Sequence, residues 1–163
     1  MVEIWDAYDR QFNKMENIKL IRGEVIPDGM YHLVCDIIVK HTDGTYLLMR
    51  RDFEKHHGGL WELTAGGSAL ANETPIECAR RELREETGII SFDMQEIGRF
   101  IHDGHHSLYV VYLCVTNWDK NAVTLQNGET IDYKWVDKKT ILEMETDALA
   151  SSRSLNIINE TNI

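Results

Sequence analysis

The stretch GSALANETPIECARRELREETGI, Gly67 to Ile89, decides how the rest of the chain is read. Between Asn72 and Gly88 it carries helix signals at both ends. Thr74 precedes Pro75, and proline suits the first helical position, where a backbone N–H would lack a partner anyway. Glu77 follows Thr74 at the capping-box spacing, in which each side chain accepts from a backbone N–H of the other residue. Gly88 supplies the left-handed residue that ends a helix. At 100° per residue, Glu85 falls about −60° and Glu86 about +40° from Glu82, so the three carboxylates share an arc of about 100°. Ile76, Ala79, Leu83 and Thr87 fill the neighbouring arc and can pack against a sheet.

Like charges three and four residues apart repel by roughly 0.2–0.5 kcal/mol per pair. Two readings follow. One is a solvated helix laced with pairs such as Glu77–Arg81, which has the favourable order. The other is a divalent-cation site, because hard cations such as Mg²⁺ take carboxylate, water and phosphate oxygens and would relieve the repulsion.

The same stretch resembles the Nudix box, G-x5-E-x7-R-E-U-x-E-E-x-G-U, with U aliphatic. Gly67, Glu73, Arg81, Glu82, Leu83, Glu85, Glu86, Gly88 and Ile89 fill all nine specified positions. With ordinary residue usage, the chance of such a match is on the order of one in a billion per start position. That favours the cation site. The resemblance implies an α/β fold, a Nudix-type α/β/α sandwich with a mixed sheet and a loop–helix–loop catalytic motif. It also implies a hydrolase that cleaves a diphosphate linked to another moiety, X, with Mg²⁺ or Mn²⁺.

Carried over by position, Glu82, Glu85 and Glu86 are metal-ligand candidates, with the Gly66 carbonyl a further one. Glu82 is also a candidate base. Arg81 and Glu73 would pair and orient the carboxylates. Gly67 would let the loop turn before the helix. Acidic residues before a W-V strand occur in the family, which makes Glu129, in NGETIDYKWV, a candidate ligand or base alongside Asp132. The alternative for both is a solvent-exposed hairpin loop.

The whole chain is consistent with this picture. Its 163 residues, 43% hydrophobic, suffice for one domain with a core; we expect a single domain over 1–163, with an N-terminal hairpin extension over 1–30. A net charge of −10 argues against nucleic acid or an anionic membrane held by a basic surface. Cys35, Cys78 and Cys114 form no CxxC pair, so a reduced, cytoplasmic setting is expected. No run approaches the roughly 18 apolar residues of a membrane span. The expected partners are a small-molecule diphosphate and at most a second copy of the chain, as a homodimer.

Along the chain, YHLVCDIIVK from Tyr31, TYLLMRR, ELTAGG, LYVVYLCVT from Leu108 and IDYKWV from Ile131 read as strands. KKTILEMETDAL has helical spacing, and the last dozen residues suggest a short helix and a frayed end. Arg50 and Arg51 are candidates to hold phosphate, or else simply solvate a strand edge. Trp61 is a candidate to stack a ligand ring, or else a core anchor.

The N-terminal segments EIWDAYD and IRGEVIPDGMYHLV resemble Nudix proteins related to isopentenyl-diphosphate isomerase. The isomerases use a cysteine and a histidine beside a glycine before the helix, and the matching Ala65-Gly66-Gly67 has neither. His32 stands where such isomerases place a metal histidine; Cys35 reads as a buried strand residue. Three readings are therefore carried: a hydrolase, an isomerase-like activity, and a non-catalytic domain that binds a nucleotide-like ligand. The histidines of HDGHHS, His102, His105 and His106, suit a turn, a substrate contact or a transition metal.

Overall fold

The computed structural model describes residues 1–163. Nine strands and three helices follow in the order β1 (Ile4–Tyr8), β2 (Lys14–Ile21), β3 (His32–His41), β4 (Tyr46–Arg51), β5 (Trp61–Glu62), β6 (Thr64–Ser68), α1 (Pro75–Thr87), β7 (Met94–His102), β8 (Ser107–Thr116), β9 (Thr130–Val136), α2 (Lys138–Glu143) and α3 (Arg153–Glu160). β1 and β2 form a separate two-stranded sheet, and the other seven strands form a mixed one.

The mixed sheet is built around β3. Its alternating apolar residues serve both faces, as a strand covered on two sides requires. Leu33, Cys35, Ile37 and Val39 belong to one core cluster, and Ile38 to the other. β3 runs parallel to β8 along its whole length, His32 opposite Ser107 through His41 opposite Thr116. On its other edge it meets β4 only at Lys40–Tyr46. Beyond that point β6 takes the edge, with Cys35 opposite Gly67 and Asp36 opposite Gly66. β4 turns instead to β9 and β5. The sheet thus divides into two wings.

α1 covers one face through Cys78, Ala79 and Leu83, with Ile76 partly buried beside them. α2 and α3 cover the other through Ile141 and Ile158, which pack with Leu48, Leu63 and Val111. This is the α/β/α sandwich that the sequence implied. The Thr74–Glu77 capping box is formed in both directions, and Gly88 ends α1 at φ 76°. β7 is an addition to the sequence reading. It is an edge strand with no fully buried residue and a bulge between Glu96 and Gly98, so it lacks a clean apolar alternation. Helix α2 is shorter than its periodic stretch, because the chain extends at Met144 and resumes only as a single 3₁₀ turn, Thr146–Ala148.

Candidate active site

β6 and α1 place the box residues around one polar cleft of about 400 Å³. It is lined by Gly66, Gly67, Arg81, Glu82, Glu85, Glu86 and Glu129, with Glu3, Arg22, Lys55 and Gln126 at its walls. Gly67 has no room for a side chain: a Cβ there would stand 2.6 Å from the Glu82 carboxyl carbon. A side chain there would displace the Glu82 carboxylate from its present position.

Arg81 organises the acidic face. Its Nε and Nη2 donate to the two carboxylate oxygens of Glu73 at 2.7 and 2.9 Å. Nη1 donates to Glu82 at 2.6 Å and to Glu85 at 3.2 Å, and Nη2 also reaches the Ser68 carbonyl at 3.1 Å. The bidentate Glu73 pair fixes the plane of the guanidinium and raises its pKa, keeping it charged. Glu73 in turn accepts from the Leu70 N–H, which ties the loop before the helix to the same arginine.

Glu86 is left out of this arrangement. Its carboxylate accepts from the Gly66 N–H at 3.1 Å. Hemmed in by protein while open to the cleft, it is pushed up to about 8, first by burial and then by the charges of Glu82 and Glu62, against the pull of Gly66 and Lys55. Burial also pushes Glu82 up, although Arg81 opposes it. The set is therefore oxygen-rich, crowded with negative charge and short of a cation. That chemistry fits a hard divalent ion, for which Glu82, Glu85, Glu86 and the Gly66 carbonyl are the candidate donors. No three His, Cys, Asp or Glu side chains are drawn closely enough together to cage an ion in this arrangement, since Arg81 holds Glu82 and Glu85.

Glu129 lies in the cleft wall, paired with Lys55, rather than free in a solvent loop. Asp132 is exposed on β9 and accepts from its neighbour's N–H. The structure does not bring Arg50, Arg51 and Trp61 to this cleft. Arg50 donates to the Gly59 carbonyl and lies over the rings of Phe53 and Trp61. Trp61 packs against the second core cluster, with Lys134 above it. Arg51 pairs with Glu62 and lines a second cleft, together with Asp36, Tyr109, His105 and Arg153. In that cleft Asp36 is pushed up to about 7 by burial and by Glu62. Glu3, Arg22, Lys55 and Gln126 escaped sequence reasoning, because each depends on which loop docks where.

The other singled-out residues have structural partners. His32 is buried, stacked on Trp5 at 4.2 Å and bonded to Ser107 and Ser68. Burial lowers its pKa to about 4. Cys35 is buried, with its thiol against the Pro75 carbonyl. His102 stacks on His105, while His106 bonds the Met30 carbonyl.

A glutamate-bearing helix beside a glycine strand edge, on an α/β/α sandwich, is an arrangement that comparison with known proteins assigns to a family. The NUDIX domain family matches residues 30–155, and the chain belongs to that family. It is 29% identical over 152 residues to an uncharacterized Nudix hydrolase of Listeria monocytogenes, covering 93% of this chain and 86% of that protein. It is 33% identical over 116 residues to an isopentenyl-diphosphate Delta-isomerase of Dinoroseobacter shibae, covering 67% and 65%. Among solved structures, DR0079 from Deinococcus radiodurans superimposes with TM-score 0.74 at 17% identity, covering 96% of this chain and 98% of that one. The MutT protein of Methanosarcina mazei Go1 gives 0.65 at 26% identity, covering 81% and 93%. With its complete box, the chain is a pyrophosphate-bond hydrolase of the Nudix family.

Proposed function

We propose that the chain hydrolyses a nucleoside-diphosphate-type substrate, a diphosphate joined to another moiety X, using Mg²⁺ or Mn²⁺ held by Glu82, Glu85, Glu86 and the Gly66 carbonyl. The observation that carries this reading is Glu86, a carboxylate in the cleft that one N–H donates to and whose charge the more distant Lys55 offsets only in part. A divalent ion supplies charge neutralisation at the phosphates and a bound water of lowered pKa.

The chain's own residues do the rest. Arg81 holds Glu73, Glu82 and Glu85 in register, and such partners behind a ligand set fix its orientation. Glu82, made more basic by burial, is the first candidate to take a proton from water. Glu129, also in the cleft wall, is a second candidate for that step. Arg50, Arg51 and Trp61 stay outside this chemistry, since none of them lines the cleft.

The isomerase reading has the Dinoroseobacter relative in its favour. Against it, Ala65-Gly66-Gly67 offers neither cysteine nor histidine, and His32 is occupied by Trp5, Ser68 and Ser107. A purely ligand-binding domain would have no need of an intact glutamate set. The test is a panel of nucleoside diphosphates, nucleotide sugars and dinucleotides, run with Mg²⁺, with Mn²⁺ and with chelator. Metal-dependent release of a monophosphate product is expected. Full turnover in chelator would overturn the metal assignment, and no turnover of any panel member with either metal would overturn the hydrolase substrate class.

A further inference from the structure

Residues 1–29 lie outside the span matched to the NUDIX family, yet they furnish part of the cleft wall. The β1–β2 hairpin is fixed to the domain at several points. Asp6, buried, accepts from the Asn72 N–H at 2.7 Å and pairs with Lys14 and Lys19. The Ala71 N–H donates to the Ile4 carbonyl at 2.8 Å, Tyr8 and Tyr31 exchange both backbone bonds, and Trp5 stacks on His32. The hairpin therefore grips the loop between β6 and α1, the loop that carries Glu73. Its open end, where the Arg22 N–H donates to the Glu3 carbonyl at 3.0 Å, stands at the cleft with Gly66, Glu82 and Glu86.

The two side chains at that end are held unequally. Glu3 has two donors, the Trp5 indole at 3.1 Å and Arg22 at 2.6 Å. Arg22 has Glu3 alone, and its side chain is 67% exposed against 26% for Glu3. A guanidinium has five N–H donors in a planar fork suited to phosphate, and Arg22 spends one of them on a carboxylate. The other uncommitted-looking cation of the cleft, Lys55, already pairs with Glu129. A diphosphate entering a cleft lined with carboxylates needs cationic donors on the protein side as well as metal.

We propose that Arg22 is an anion-anchoring residue for the diphosphate substrate, with Glu3 its partner until phosphate displaces it. The substrate class here rests on the hydrolase reading above. Arg22 is a binding residue rather than one that moves a proton, so its effect falls on KM.

The experiment compares wild type, Arg22→Gln, Arg22→Lys and Glu3→Gln, by steady-state kinetics on whichever panel diphosphate is turned over. Calorimetric binding of methylenediphosphonate with Mg²⁺ serves as the non-hydrolysable probe. Arg22→Gln is expected to raise KM about 10–100-fold, with kcat within about threefold. The Kd for methylenediphosphonate should rise in parallel, and Arg22→Lys should recover part of the loss. Glu3→Gln should lower both KM and Kd, because a competitor for the guanidinium is gone. If the two removals raise KM and Kd alike, with matching losses in Tm, the pair is structural and the proposal falls. It falls equally if Arg22→Gln leaves both constants unchanged. Should wild type turn over no panel diphosphate, the hydrolase reading fails separately, and the methylenediphosphonate Kd of the variants still decides the role of Arg22.

Discussion

Glu86→Gln isolates the charge at the centre of the site. The substitution keeps the side-chain shape and leaves an amide oxygen to accept the Gly66 N–H, but removes the ionisable group. In the folded chain that group is raised from 4.5 to about 8. Since each tenfold change in an equilibrium is worth about 1.4 kcal/mol, ionising Glu86 costs the apo fold up to about 5 kcal/mol. Water in the cleft screens part of this, and about 2 kcal/mol is a working figure. The sign follows from the raised value. Below about 4.5 the group is protonated in folded and unfolded chains alike and contributes nothing. As pH climbs the unfolded chain ionises first, so wild type loses stability until the folded group also ionises near 8. Glu86→Gln should therefore match wild type at pH 4 and exceed it at pH 9, by roughly 4–8 °C in Tm for a chain of this size. The assay is thermal unfolding by circular dichroism in chelator across pH 4–9. Adding Mg²⁺ or Mn²⁺ should raise the Tm of wild type more than that of the variant, whose kcat should also fall severely. A variant no more stable than wild type at pH 9, or equally stabilised at pH 4, would refute the uncompensated-charge argument.

Other substitutions separate positioning from chemistry. Glu73→Gln removes one charge of the bidentate pair with Arg81 and should cost about 1–3 kcal/mol of stability, together with about 10–100-fold in metal affinity, read by unfolding and by metal titration. Gly67→Ala puts a methyl carbon 2.6 Å from the Glu82 carboxyl; kcat should fall on the order of 10²-fold through misplacement, and a variant of normal kcat would show that the cleft yields there. Glu129→Gln should lower kcat by about 10²–10⁴-fold if Glu129 takes the proton. A loss below about threefold at saturating metal would return that step to Glu82.

The parts legible in the sequence are those encoded locally. Cap, carboxylate arc and terminating glycine of α1 lie within one short segment, and the structure reproduces them residue by residue. The strongly apolar strands β3 and β8 were readable for the same reason, since burial on both faces leaves a dense apolar run. β7 was not, because its apolar residues pack toward both core clusters and a bulge between Glu96 and Gly98 breaks the alternation. Arg50 and Arg51 show another limit. Their place at a strand end was correct, but which groove each side chain enters depends on the β5 turn and on Glu62. Lys55 and Arg22 are tertiary in the same sense: each reaches the cleft through a docked loop or hairpin, and no spacing rule announces that.

The parallel pairing of β3 with β8 sets a timetable for assembly. Parallel neighbours cannot be joined by a tight turn, and here the partner of His32 is Ser107, about 75 positions further on, so closing that pair carries the entropy of a long loop. β6, on the other edge of β3, pairs about 30 positions away and antiparallel. At about 5–20 residues per second of synthesis, several seconds separate the emergence of β3 from that of β8. In that interval β3, β6 and α1 can already pack through Cys35, Ala65, Cys78 and Leu83. The glutamate helix then rests on a half-finished sheet whose apolar β3 edge is open, and the nascent chain is most prone to mispairing until β8 docks.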